Sequence, residues 1–233
     1  MELSQRLRKV ADRVPEGAVL ADIGTDHGRL PVWLMEQGRI SEAFACDVRP
    51  GPLSRARELI LEQGLSDRIH PVLSDGMEAL EPGKITAVTI AGMGGRLTAR
   101  ILLADRERKP GILCGLTDLI LQPQSEWDVV RRAVHDCGFR IAGEEMVEER
   151  EQFYLIIHSC PGEERYEEAE YAWGRFLESE RDPVFRRFLL RQLEKTEALL
   201  EALSAENTEA ARRRSRELTA EQQRQKEVLA RWQ

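Results

Sequence analysis

The sequence predicts an α/β protein: a doubly wound sheet of seven strands, the last two forming a hairpin, followed by an antiparallel helical coiled coil. Three observations predict it. Short apolar runs alternate with helix-compatible stretches over the first two-thirds of the chain. A loop carrying Gly24 and Gly28 follows the first apolar run directly. Strand signal stops at Ser159-Cys-Pro-Gly-Glu163, and apolar residues then recur at heptad spacing.

Taken in order, strands are expected at Ala18–Ile23, Ala43–Val48, Ile69–Leu73, Ala87–Ile90, Leu119–Gln122, Arg140–Val147 and Phe153–His158. The first five are short apolar runs, as parallel strands buried on both faces should be. Helices fit between them. Arg29–Gln37 stops at Gly38, and Gly51–Gln63 stops at Gly64, residues suited to a left-handed helix end. Gly95–Ala104 follows, then Glu126–Cys137 with Ser125 as N-cap and Gly138 as stop. Only the turn Glu148-Glu-Arg-Glu151 separates the last two strands, so they read as an antiparallel hairpin. Beyond residue 160, a short helix over Glu167–Glu178 precedes Asp182-Pro183, which starts a long helix. Its seam is Leu189, Leu193, Thr196, Leu200 and Leu203. The chain turns near Asn207, and a second helix presents Ala211, Ser215, Leu218, Gln222, Gln225, Leu229 and Trp232. A hairpin packed on itself buries both seams without a partner chain, so a monomer is expected.

Composition narrows the function. A chain of 233 residues holds one full-size domain and an appendage, and 42% hydrophobic with 32% charged residues suits a soluble protein. The apolar runs fall far short of a membrane span, and Met-Glu-Leu-Ser-Gln-Arg has no apolar signal core. Cys46, Cys114, Cys137 and Cys160 form no C-x-x-C pair and fit thiols of a reducing cytosol, so a cytoplasmic protein without a metal centre is expected. The net charge of -7 allows nucleic-acid binding only through local basic patches.

The chemistry concentrates at the strand ends. Asp22-Ile-Gly-Thr-Asp-His-Gly28 is an acid-first glycine loop in which Asp26 stands where a dinucleotide fingerprint has glycine. Two carboxylates there repel a phosphate and attract a sulfonium, which points to S-adenosylmethionine. Asp47 ends the second strand and can accept from both ribose hydroxyls. Asp75-Gly76 follows the third, where the carboxylate can take an adenine amine while Met77 packs on the ring; the alternative for each acid is a turn or N-cap acid. Thr25, Ala91 and Gly92 complete the expected cofactor set. Ile90-Ala-Gly-Met-Gly-Gly makes a loop of little bulk, open to a large planar substrate or, alternatively, required for tight packing. Met93, Gly94, Gly95, His27, Gln122 and Pro123 are the candidate substrate contacts there, with Gln122 suited to a base edge or to a turn.

Ala-Asp-Ile-Gly-Thr-Asp-His-Gly, Ile-Ala-Gly-Met-Gly-Gly and Leu-Ile-Leu-Gln-Pro-Gln, in that order and followed by a helical hairpin, resemble the bacterial TrmK family over essentially the whole chain. These are tRNA (adenine(22)-N1)-methyltransferases. The resemblance implies a Rossmann-like seven-stranded class I methyltransferase sheet over residues 1–160 and a coiled-coil domain over 161–233 that helps to hold tRNA. It places Gly24, Asp26, Gly28, Asp47, Asp75 and Gly76 on family cofactor positions. The Asn/Asp-Pro-Pro-aromatic motif of many base methyltransferases is absent, which leaves open what stacks on the target adenine. Asp26 is the candidate catalytic residue, as a carboxylate that orients the adenine amine or takes up its proton; its alternative is a helix cap. Phosphate contacts are expected from basic clusters around Arg6, Arg106, Arg186, Arg187 and Arg213, although the last run also reads as a solvated face.

Overall fold

The computed structural model describes residues 1–109, 111–206 and 208–231. Seven strands form one sheet: β1 (Ala18–Ile23), β2 (Ile40–Asp47), β3 (Ile69–Leu73), β4 (Ala87–Met93), β5 (Asp118–Pro123), β6 (Phe139–Glu149) and β7 (Gln152–Pro161). Their order is β3-β2-β1-β4-β5-β7-β6. β1 to β5 pair in parallel, and β7 lies antiparallel between β5 and β6. The chain winds outward from β1 to β3 and then returns to β4, so the strand order reverses between β1 and β4. That reversal is where an open α/β sheet leaves a crevice at its carboxyl ends.

The apolar runs predicted β1, β2, β4 and β5 because these strands are largely buried on both faces, whereas β3, at the sheet edge, is half-exposed. Leu20, Ala21, Ala43, Ala45, Val88, Ile90, Leu119 and Leu121 are all fully buried. The β6–β7 turn is two residues long, and Arg150 and Glu151 both take positive φ, 50° and 63°. That is the backbone of the hairpin turn whose twist matches the flanking strands.

Helices α2 (Arg29–Glu36), α3 (Pro50–Glu62), α4 (Gly95–Arg108) and α6 (Trp127–Asp136) cross between strands. α2 buries Leu30, Val32, Trp33, Leu34 and Met35 in the largest apolar cluster. Two helices lack a strong sequence signal: α1 (Gln5–Asp12), where charge outweighs apolar residues, and the four-residue α5 (Gly111–Cys114). α1 is nonetheless anchored. Ser4 caps it by accepting from Leu7 N at 3.3 Å, and Val10 and Ala11 are fully buried.

Two local expectations need correction. Ser125 does not cap α6. Glu126 occupies the N-cap position in the left-handed region, φ 48°, with no side-chain cap, while Ser125 Oγ accepts from Gly95 N at 3.4 Å. The stretch Glu167–Glu178 is not one helix but two, α7 (Glu168–Trp173) and α8 (Arg175–Ser179), broken at Gly174. There φ is 86°, and a Cβ would lie 2.5 Å from Glu144 Oε2. Arg131, fully buried, donates from Nε to Glu144 at 2.6 Å and from Nη1 to Tyr171 O at 2.7 Å. These bonds dock α7 onto the sheet unit, so the two compact units are Met1–Gly174 and Arg175–Gln233.

In the second unit α9 (Pro183–Ser204) and α10 (Glu209–Ala230) pack against each other. Asp182 caps α9, accepting from Val184 N and Phe185 N at 2.7 and 3.0 Å. Leu189, Thr196, Ala211, Leu218 and Gln225 are buried on the expected seams, but Val228 rather than Leu229 is the buried residue of the last turn. Gln222 and Lys226 reach across to Glu197 at 3.1 and 3.6 Å. Asn207 and Trp232, expected at the turn and at the end of the seam, lie outside the described residues.

Candidate active site

A cleft of about 890 Å³ opens at the carboxyl ends of β1, β2, β3 and β4. Its acids arrive in register. Asp22 is paired with Ala45 of β2 and Thr89 of β4, and Asp47 is paired with Leu73 of β3. Asp22 and Asp47 are 4% and 5% exposed, whereas the side chains of Asp75 and Asp26 are 57% and 62% exposed. The cleft therefore carries two buried carboxylates on its floor and two accessible ones at its edges.

Burial raises the pKa of Asp22 above the ordinary carboxylate value. The hydrogen bond from Thr89, at 2.7 Å, opposes that shift, and the charge of Asp47 adds to it. A carboxylate held this way gains from a nearby cation. Cys46, beneath the loop, is pushed up to about 12 by burial and is no nucleophile at neutral pH.

The glycine loop is shaped by close approach. Gly24 and Thr25 donate their N–H groups to Cys46 O at 2.8 and 2.9 Å. Gly24 has φ +72°, and a Cβ on it would collide with the ε-methyl of Met93. Gly28 has φ +68°, lies against Ala56 and is the N-cap position of α2, which no side chain caps. Asp26 is therefore not a helix cap. It takes a left-handed backbone, φ 53°, and its carboxylate lies 3.4 Å from His27 Nε2. Aspartate tolerates this region better than most residues.

Asp22, Gly24, Thr25, Asp26, His27, Asp47, Asp75, Gly76, Ala91, Gly92, Met93 and Gly94 all line the one cleft. Gly28 supports the loop from behind. Seven other candidates lie elsewhere. Met77 is fully buried and does not line the cleft; its N–H donates to Asp105 at 3.0 Å. Gly95 packs against the carbonyls of Ser125 and Glu126, which leave no room for a Cβ. Gln122 is fully buried: its Oε1 accepts from Gly92 N at 3.1 Å and from Arg6, and its Nε2 donates to Pro123 O. It satisfies the bulged β4 end instead of facing a base. Pro123 is buried beside it, and Gln124 takes the place at the cleft wall. Arg186, Arg187 and Arg213 are exposed on the second unit, with Arg213 in a loose pair with Glu217 at 4.0 Å.

Residue patterns did not reveal part of the wall. Val48 and Leu97 line the cleft with 62% and 38% exposure, apolar surface suited to a flat ring. Arg6, from an expected basic cluster, also lines it, as do the unforeseen Arg29 and Arg100, and among the described residues none of the three is paired with a carboxylate. Arg6 lies 5.3 Å from the Tyr154 ring centre, and Arg29 donates to Glu2 O. Acids inside and unneutralised arginines at the wall suit a cationic small ligand together with a polyanionic one. A smaller cleft of about 570 Å³ lies beside Arg106 and Arg165, but both arginines are already engaged with Asp136. No group of three or more metal-ligating side chains occurs among the described residues.

Comparisons with known proteins fit this geometry. A family model described as a methyltransferase domain matches residues 3–157. The chain is 33% identical to the Bacillus subtilis tRNA (adenine(22)-N(1))-methyltransferase, over 98% of each. The crystal structure of the B. subtilis M1A22 tRNA methyltransferase TrmK superposes with a TM-score of 0.85 at 32% identity, covering 98% of this chain and 99% of that one. The chain belongs to the TrmK family. Streptococcus pneumoniae Sp1610 in complex with S-adenosyl-L-methionine matches the TrmK fold here at 36% identity and a TM-score of 0.86, covering 98% and 100%. The residues present fit that ligand: a glycine cradle that a Cβ would fill, acids for a sulfonium and ribose, and apolar Val48 for a ring.

Proposed function

We propose that this protein transfers a methyl group from S-adenosylmethionine to N1 of adenine 22 in tRNA. The observation that carries the reading is the acid-floored cleft with an open glycine loop, in a chain of the TrmK family. When bound, S-adenosylmethionine supplies an electrophilic methyl on a sulfonium. Asp22 and Asp47 favour a cation and ribose hydroxyls at the cleft floor, and Asp75 offers an acceptor at its far edge.

Adenine N1 is unprotonated at neutral pH, so attack needs no strong base. Alignment and exclusion of water supply most of the acceleration. Met93 and Gly94 leave a low wall where a planar base can approach. The adenine becomes cationic as the bond forms, and the accessible carboxylate of Asp26 stabilises that charge or accepts a proton from the exocyclic amine. N1 sits on the pairing edge, so the base must swing out of its stack. Arg6, Arg29 and Arg100 then meet the neighbouring phosphates, and Arg186, Arg187 and Arg213 of the helical unit supply further contacts. The protein acts as a cytoplasmic monomer in this reading, in which Leu189 of α9 and Ala211, Leu218 and Val228 of α10 are buried within the one chain. Transfer of labelled methyl to tRNA transcripts with and without adenine 22 tests it. Labelling confined to the adenine-containing transcript is expected, and equal labelling of both would overturn it.

A further inference from the structure

The wall formed by α4 carries a feature that the transfer chemistry does not use. The helix begins beside the glycine loop of β4, and Leu97, Arg100 and Ile101 line the cleft. One turn further on, Asp105 is 2% exposed. Its Oδ2 accepts the Met77 N–H at 3.0 Å. A Cβ on Gly76 would lie 2.5 Å from that oxygen and 3.0 Å from Oδ1, and Gly76 has φ +62°. The glycine and the carboxylate are thus a matched pair. The next turn adds Arg108, 3.3 Å from Asp75 Oδ2, and Lys109, whose Nζ donates to Glu78 O at 3.0 Å and to Leu80 O. Within the loop, Ser74 Oγ donates to Gly76 O at 2.8 Å. The segment that carries Asp75 is therefore held to α4 at several points, and Asp105 is the buried one.

We propose that Asp105 is a positioning residue for the cofactor: it fixes the Asp75–Met77 backbone so that this loop presents its carboxylate and main chain to the adenosine moiety. The proposal rests on reading the cleft as the S-adenosylmethionine site. An apolar or neutral side chain would be the stable choice at so buried a position, because an ionised carboxylate there is costly to desolvate. Burial pushes the Asp105 carboxyl up to about 6. Asp75 and Glu78 from the loop add to the rise, while the Met77 N–H and Arg108 oppose it. Cys46 from β2 and Cys137 beyond α6 also face its charge. At neutral pH the ionised group accepts a charge-assisted bond from the loop. Below about pH 6 it takes a proton that must itself find an acceptor, and the loop loosens.

Calorimetry of S-adenosylhomocysteine binding to the full chain between pH 5.5 and 8 tests this, with wild type against Asp105→Asn and Asp105→Ser. His27 and other ionisable groups also line the cleft, so the informative quantity is the difference between wild type and variant. At pH 8 each variant is expected to bind about 10-fold more weakly. The gap should close towards pH 5.5, where wild type loses the same charge. In turnover, the KM for S-adenosylmethionine should rise while kcat and the KM for tRNA stay put. A folded variant that matches wild type at pH 8, or a gap that does not change with pH, would overturn the assignment. Loss of fold in both variants by circular dichroism would overturn it in favour of a purely structural role. Wild type that binds no S-adenosylhomocysteine would instead overturn the cofactor reading of the cleft.

Discussion

The side-chain oxygen of Gln122 lies 3.1 Å from the backbone N–H of Gly92, which it holds at the bulged end of β4. Gly92 has φ +79°, and its N–H has left the β4–β5 ladder. Without this acceptor a partly buried donor would be stranded, and Arg6 would lose its anchor. Gln122→Met keeps the volume and removes the acceptor. It is expected to destabilise the fold by about 1–3 kcal/mol in urea unfolding and to slow methyl transfer. Unchanged stability would show that the bond contributes nothing net.

The contact between Gly24 and Met93 joins the first and fourth strand ends. Gly24→Ala must place a Cβ at φ +72° and drive Met93 aside. The left-handed backbone alone costs about 1–2 kcal/mol. S-adenosylhomocysteine affinity should therefore fall at least about 10-fold, read by calorimetry. An alanine variant of wild-type affinity would contradict the role given to this loop.

Asp26 projects into solvent at the cleft edge and supports no part of the loop except through His27. Asp26→Ala should lower kcat by about 100-fold and leave S-adenosylhomocysteine affinity within about 2-fold, since no hydrogen bond that shapes the donor pocket is lost. Equal loss in kcat and affinity would move Asp26 from the transfer step to the cofactor site.

Asp22 trades stability for binding. Its pKa is raised in the fold above 3.8, chiefly by burial. Its contribution to stability is complete below that unfolded value and declines as pH rises through the folded one. Asp22→Asn still accepts from Thr89 and carries no charge. Its Tm at pH 7.5 should exceed that of wild type by about 3 °C, with the difference vanishing towards pH 4, while S-adenosylmethionine binding weakens. A less stable variant at pH 7.5 would reverse the sign and contradict the assignment.

Arg100 is exposed at the cleft wall and has no carboxylate partner among the described residues. Arg100→Ala should raise the KM for tRNA without changing that for S-adenosylmethionine, and should lower the salt slope of tRNA binding by about 1. A variant whose salt slope is unchanged would place the phosphates elsewhere.

Much of this was legible in the residues. The strand ends near Asp22, Asp47 and Asp75 were visible because short apolar runs give way to an acid there, although β3, at the sheet edge, is only partly buried and ends two residues before Asp75. Gly38 and Gly64, read as left-handed helix ends, do take positive φ, 67° and 66°. Side-chain direction was not legible. Gln122 and Met77 occupy loop-end positions like those of residues that do face the cleft, yet the bulge at Gly92 and the carboxylate of Asp105 turn them to internal tasks. Asp105 itself sits in a helix among charged residues, and only the tertiary approach of Gly76 distinguishes it. Arg6 lies on a short helix held by Ser4 and two buried residues, too weak a pattern to place beside Gly92.

The central claim concerns the atom that receives the methyl group. Primer extension on tRNA incubated with the protein and S-adenosylmethionine reads it directly, because a methyl on the pairing edge of a base arrests the polymerase. Arrest at adenine 22 that requires both protein and cofactor is the predicted result. Full-length extension on a tRNA that has taken up labelled methyl, or arrest at another base, would contradict it.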